Sequence, residues 1–183
     1  MNVLASKGQL RASFFRWALF TVPACLLIGF LAGQIGGSPD SLWFQSLTKP
    51  DIFPEPKWFG IVWSILFVMI GLAVALVCAA WGARGRKAAL VVFVLHFLLA
   101  QSWTAVFFGA YQMTYGLYVL IAAVVTAIIV IALFWRVRQL AALMLVPYLA
   151  WLCFATLLNY EFLKLNPDAD GQETTQAVQR IEF

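Results

Sequence analysis

Apolar residues in this chain run in long blocks rather than with a short period. Five blocks stand out, at 17–35, 58–80, 88–109, 115–135 and 141–163. A helix needs about 20 apolar residues, at roughly 1.5 Å rise each, to cross the hydrocarbon of a bilayer, and every block meets that length. The blocks lack the alternation of lumen-facing strands, which argues against a barrel. The pattern predicts an all-α membrane protein, a bundle of five transmembrane helices. It occupies residues 17–166 as one integral, multi-pass membrane domain. A basic tail at 1–16 precedes it, and a flexible polar tail at 167–183 follows.

The connections differ in kind. Those after the second, third and fourth blocks are short, so spans two to five are expected to be antiparallel neighbours. The first, 36–57, is long and carries four prolines (Pro39, Pro50, Pro54 and Pro56). Proline fixes φ and removes a donor, so regular helix is not expected after Lys49. The same stretch holds Leu42, Trp43, Phe44, Leu47, Ile52 and Phe53, more apolar side chains than a solvated loop needs. It reads as a structured cap folded back on the bundle, or else as a segment resting among headgroups.

Composition agrees with the pattern. Hydrophobic residues make up 63% of the 183 residues and charged residues only 11%, against roughly 25% charged in soluble domains. The formal charge of +4 would point a soluble protein toward nucleic acid. Here its distribution matters more, and no nucleic-acid partner is expected. Lys7, Arg11 and Arg16 precede the first span, Arg84, Arg86 and Lys87 lie between spans two and three, and Arg136 and Arg138 between spans four and five. The third connection is uncharged, and Lys49 and Lys57 in the first are offset by acids. Basic loops stay cytoplasmic, which puts the N-terminus inside and the C-terminus outside. The pattern does not identify the host membrane. A basic start followed by an apolar run resembles a signal peptide, but the run is long for one, and the reading keeps it as a span.

Three tryptophans, Trp63, Trp103 and Trp151, lie inside spans, whereas most of the other five sit near span ends, where indoles suit the interface. With this orientation all three fall in the middle or outer half, beneath the proline-rich loop. Ala155 and Asn159 follow Trp151 at i+4 and i+8, on one face of a helix. Three indoles, a small residue and an amide are thus placed to converge. They serve either helix packing or the enclosure of a large, flat, apolar molecule.

Other features carry little chemistry. Cys25, Cys78 and Cys153 all fall in spans and form no disulfide framework or metal site. No paired carboxylates, nucleophile–base set or nucleotide-binding glycine loop appears, so no catalytic residue and no metal ligand is assigned. His96, an ionisable group inside a span, is a candidate haem ligand or proton relay. It is more simply an interhelical hydrogen-bonding group. Leu158, Tyr160 and Lys164 fit the loose pattern proposed for sterol contact, which interfacial anchoring also explains. Gly29-x-x-x-Gly33 allows close helix approach, within the bundle or at a dimer seam.

Several motifs together resemble one family. They are Trp43-Phe44-x-x-Leu47-x-Lys49-Pro50, Phe59-Gly60-Ile61-Val62-Trp63 with Met69-Ile70-Gly71, Trp103-Thr104-Ala105-Val106-Phe107-Phe108-Gly109, and Pro147-Tyr148-Leu149-Ala150-Trp151-x-x-Phe154-Ala155-Thr156-x-Leu158-Asn159. In this order, over roughly residues 17–166, the chain resembles the translocator proteins, or tryptophan-rich sensory proteins (TspO/MBR). The resemblance implies a five-helix bundle, often a homodimer, that binds porphyrin, haem or related tetrapyrroles as ligands, with no cofactor required. Some members also bind cholesterol. It implies a pocket at Trp63, Trp103, Trp151, Ala155, Leu158 and Asn159 with Phe59 and Gly60, under a lid carrying Trp43, Lys49 and Pro50. The function expected is binding, and transport or sensing, of tetrapyrroles. Light- or oxygen-dependent porphyrin degradation, or a regulatory scaffold for sterol-like ligands, is the alternative. Ile52, Glu55-Pro56, His96 and Ala100 depart from the family pattern, where many members carry Trp, a Pro-Pro pair, Gln and Asn. These departures bear on ligand choice more than on fold.

Overall fold

The computed structural model describes residues 7–172. All its regular structure is helical. The first span, α1 (Lys7–Ile35), is followed by a short helix α2 (Leu42–Ser46) and the second span α3 (Pro56–Cys78). The third span is α4 (Arg86–Thr104), continued by a wider π-helical turn at Ala105–Gly109. The fourth is α5 (Met113–Val137), and the fifth is built from α6 (Gln139–Met144) and α7 (Val146–Leu165). Five helical stretches are therefore long and apolar enough to cross a membrane.

Helix limits follow from local chemistry. Pro56 opens α3, where its missing N–H costs nothing. Gly85, at φ 80°, supplies the left-handed residue that turns the chain into α4. The fifth span, expected as one helix over 141–163, is interrupted at Leu145. Pro147 cannot donate to the carbonyl four residues back, so the hydrogen-bond ladder is offset there. The first helix starts at Lys7, ten residues before its apolar block, and so takes in most of the basic tail expected at 1–16; residues 1–6 lie outside the described part.

The spans close into a ring of contacts. α1 packs along α3, α3 against α6, α7 against α5, and α5 against α4, which also touches α1. The second span thus leans mainly on the first and fifth, and its contact with the third is slight. Short connections make neighbours of spans three to five as expected, but they do not dictate how much surface each pair shares. Close approach of α1 and α3 rests on small residues. Thr21 Oγ1 donates to the Gly71 carbonyl at 2.7 Å, and a Cβ on Gly71 would lie 2.6 Å from Val22 Cα. Gly29 faces the Phe67 ring within the bundle, whereas nothing lies within 4 Å of a Cβ on Gly33.

The connections at one end of the bundle form a sealed layer, here called the loop end. Trp43, Phe44 and Leu47 are buried, so the first connection is a docked cap rather than a segment among headgroups. Ser41 caps α2 by accepting from the Phe44 N–H. The polar tail expected to be flexible from 167 onward is ordered over 167–172. It forms a 3-10 turn at Pro167–Ala169, the Trp43 indole donates to the Ala169 carbonyl at 3.0 Å, and Asn166 bonds both backbone groups of Thr48. The rest of that tail, 173–183, lies outside the described residues. Tail residues here satisfy backbone groups that the loop leaves open, which composition does not reveal.

Gly71→Ala is expected to destabilise the detergent-solubilised protein by about 1–3 kcal/mol, because backbone must move to admit the methyl. Gly33→Ala is expected to be neutral or slightly stabilising, since a helical Gly costs roughly 0.5–1 kcal/mol relative to Ala. Paired thermal melts would show the difference as opposite shifts.

Candidate functional site

The interior indoles fall into two aromatic groups joined by phenylalanines. In the first, Trp63 and Trp151 meet edge to face at 6.4 Å and 87°. Phe59 lies 5.9 Å and Phe154 5.2 Å from the Trp151 ring. Below them Trp63 stacks on Phe67 at 5.3 Å and meets the edge of Tyr148 at 6.4 Å. The second group surrounds Trp103, which stacks on Phe107 at 5.0 Å. Phe107 in turn touches Trp43 of the cap at 5.6 Å. Phe53 links the two, 5.5 Å from Phe59 and 5.5 Å from Phe162, and Phe162 lies 6.0 Å from Phe107.

The bundle's core divides along the same line. One buried cluster fills the body of the bundle, with Trp63, Trp151 and Ala155 packed at its edge. The other lies under the cap. Trp103 packs against both. The three indoles, Phe59, Phe154 and Ala155 are half-buried, so they border the seam rather than fill a core. Gly60 is exposed. Leu158 is buried beneath the cap.

One amide organises the Trp103 side. Asn159, 1% exposed, accepts from Trp103 Nε1 at 3.0 Å and donates to the Met113 carbonyl at 2.8 Å. It joins the third, fourth and fifth spans. Gly116 makes room for the pair, since a Cβ there would lie 2.9 Å from Asn159 Oδ1 and 3.3 Å from Trp103 Nε1. The expected convergence of Trp103 and Asn159 is therefore a direct bond. Trp103 reaches the other two indoles through phenylalanines.

Trp151 differs from Trp103. Its Nε1 is buried and finds no acceptor among the described residues. An unmade bond from a buried donor costs about 1–3 kcal/mol, and such exceptions need an explanation. Its neighbours are the half-buried rings of Trp63, Phe59 and Phe154, none of which offers an acceptor.

His96 sits behind this surface. Thr126 Oγ1 lies 2.8 Å from its Nδ1 and the Tyr148 hydroxyl 3.0 Å from its Nε2, and Tyr148 supports Trp63. Both ring nitrogens are engaged by protein groups, which is the interhelical bonding role. Neither is free to ligate a haem iron without breaking a bond.

Of the lid residues, Trp43 and Pro50 are buried, and Lys49 reaches back to donate to the Phe44 carbonyl. Its ammonium lies 3.9 Å from the centre of the Phe44 ring, a cation–π contact. Partial desolvation lowers the Lys49 pKa below the usual lysine value. The sterol-like motif does not form one surface. Leu158 faces inward, Tyr160 is 50% exposed, and Lys164 pairs with Glu161 at 3.6 Å. Residues two apart on a helix point in nearly opposite directions. Elsewhere, an open groove of about 520 Å³ runs between α4 and α5, lined in part by Leu99, Val106, Tyr115 and Tyr118; it includes none of the interior indoles.

The sequence places Phe53 in the cap and Phe107 in a family motif without marking either for the site, and gives no sign of Phe162 or Gly116. Phe107 follows Trp103 at i+4, a signal that was available. The other phenylalanines are indistinguishable by type from those facing lipid.

Asn159→Leu is expected to strand the Trp103 indole N–H, costing about 1–3 kcal/mol for the buried donor left unpaired, and to remove the second of two bonds to the Met113 carbonyl. A thermal melt and faster exchange of the Trp103 indole proton would report it. His96→Ala is expected to leave the absorption spectrum of added haem unchanged.

Comparison with known proteins places this geometry. The model of the TspO/MBR family matches residues 21–165. The tryptophan-rich protein TspO of Chlorobaculum tepidum is 37% identical over 144 residues, 78% of this chain and 91% of that protein. Protein CrtK of Rhodobacter capsulatus is 34% identical over 144 residues, covering 74% and 86%. The human translocator protein is 37% identical over 121 residues, covering 64% and 71%.

Proposed function

The chain belongs to the TspO/MBR family of integral, multi-pass membrane proteins, and from that premise we propose that it binds tetrapyrroles such as protoporphyrin and haem at the seam between its two aromatic groups. The observation that carries this reading is the buried, unpaired Trp151 N–H beside half-buried Trp63, Phe59 and Phe154. A flat macrocycle offers faces for the rings and a carboxylate, carbonyl or ring nitrogen for the indole. Edge-to-face and offset contacts with such a macrocycle are worth about 0.5–1.5 kcal/mol each beyond area burial. Ala155, one turn beyond Trp151, adds a small side chain to the same half-buried border. The proline-rich cap, anchored by Trp43, Lys49 and Pro50, covers the loop end and serves as the lid.

Binding of this kind supports sensing or passive transport of the ligand across or within the membrane. With the basic connections held in the cytoplasm, the loop end and the site face outward. The homologues' names, tryptophan-rich protein, CrtK and translocator protein, are consistent with a tetrapyrrole-related role.

Protoporphyrin titrated into the purified protein is expected to quench tryptophan fluorescence saturably. Trp151→Phe keeps an aromatic face but removes the donor and part of the contact area, and is expected to weaken binding by at least roughly 2- to 12-fold, the worth of the hydrogen bond alone. Ala155→Phe is expected to abolish saturation by filling the seam. If both variants bind as tightly as the parent, the site lies elsewhere.

A further inference from the structure

The fourth span begins without a cap of its own. Gln112, the residue before α5, makes no side-chain bond to the first turn, and that turn carries no acid. Its free N–H groups are met from far along the chain. Asp170 Oδ1 accepts from Met113 N–H at 2.5 Å and Thr114 N–H at 3.2 Å, while Asp170 Oδ2 accepts from the Thr114 hydroxyl at 2.5 Å. The adjacent Gly171 N–H donates to the Tyr111 carbonyl at 2.8 Å. Tyr111 is the one described non-glycine residue with positive φ, at 58°, so the same clasp holds a strained turn.

Met113 is where this clasp meets the candidate site. Its N–H is held by Asp170 and its carbonyl is held by Asn159. Asn159 in turn orients the Trp103 indole. The unbroken series Asp170, Met113, Asn159, Trp103 runs from the tail, through one peptide residue, into the aromatic seam. Met113 is fully buried, and Gly116, one turn along, is the small residue that admits the Asn159–Trp103 pair. A shift of the first turn of α5 would therefore move both the acceptor for Asn159 and the space it occupies.

We propose that Asp170 is a positioning residue for the tetrapyrrole site: it fixes the first turn of α5, and through the Met113 carbonyl it sets the orientation of Asn159 and of the Trp103 indole. The proposal rests on the binding reading above for its ligand, but not for its geometry. Asp170 touches neither indole nor ligand and acts only through the backbone of Met113. Charge is secondary to acceptor geometry in this role. Asparagine at 170 keeps an oxygen for both backbone N–H groups, and its amide can donate to the Thr114 hydroxyl, whereas alanine removes every bond.

The test uses the full chain in detergent or lipid nanodiscs. The Trp103 indole N–H resonance is assigned by its loss in Trp103→Phe, and its shift and exchange rate are then measured without ligand in the parent, Asp170→Ala and Asp170→Asn. Asp170→Ala is expected to move the resonance and speed its exchange, and Asp170→Asn to restore both toward the parent. In protoporphyrin titrations, well below the melting temperature of each variant, Asp170→Ala is expected to raise Kd by roughly 2- to 30-fold, the span typical of residues that act on a site without touching its ligand. Asp170→Asn is expected to stay near the parent. Asp170→Ser, with one shorter oxygen, serves the same comparison where Asp170→Ala folds poorly. An indole resonance unmoved in the alanine or serine variant overturns the proposal. So does equal loss in alanine and asparagine variants that tracks melting temperature alone. If the parent does not bind protoporphyrin, the ligand assignment fails while the indole measurement still decides the role of Asp170.

Discussion

The two hydrogen bonds of Asn159 tie together the part of the molecule on which the candidate site depends. Within hydrocarbon there is no water to satisfy a stray amide, so each bond that a polar side chain makes between spans also fixes their relative register. Asn159 bonds an indole on the third span and a backbone carbonyl at the start of the fourth, from the last third of the fifth. The Met113 carbonyl lies in the first turn of α5, where the chain enters from the uncharged third connection. The pair is admitted only because residue 116 has no side chain.

Around that fixed point the aromatic rings are graded in burial. Those under the cap, Trp43, Phe44, Phe107 and Phe162, are fully buried and tie the first connection to the third and fifth spans. Those at the seam are half-buried and include Trp151, whose buried donor finds no acceptor among the described residues. His96 and Tyr148 brace that indole's neighbour, Trp63, from behind. The π-helical turn after Trp103 belongs to the same logic. It widens the helix where Phe107 and Phe108 must both reach the cap, and wide turns of this kind recur at functional positions. The rings are thus buried on one side of the seam and half-buried on the other.

Much of this was legible in the chain. Block length and the absence of alternation give five spans and an all-helical fold, because the bilayer leaves few other solutions. Trp151, Ala155 and Asn159 share a face by helical spacing, and the meeting of Trp103 with Asn159 follows from their depth. The start of α1 was not legible, because Gly8, Gln9, Arg11 and Arg16 break the apolar signal without breaking the helix. The break at Leu145 was foreshadowed only by Pro147. The roles of Phe53 and Phe162 were hidden, since a phenylalanine toward lipid and one toward a cap look alike in composition. Asp170 had no local signal at all: its meaning depends on Met113 and Thr114, and only the folded chain brings them together.

The separation of Asp170 from the turn it caps also orders events in time. The two are 57 residues apart in the chain. At about 5–20 residues per second of synthesis, the first turn of the fourth span is made roughly 3–11 s before its cap exists. Through that interval the turn's N–H groups must be met by water or headgroups at the membrane surface. The cap on the fourth span therefore forms only after the whole of the fifth span has been synthesised, which makes it a late contact in the assembly of the loop end.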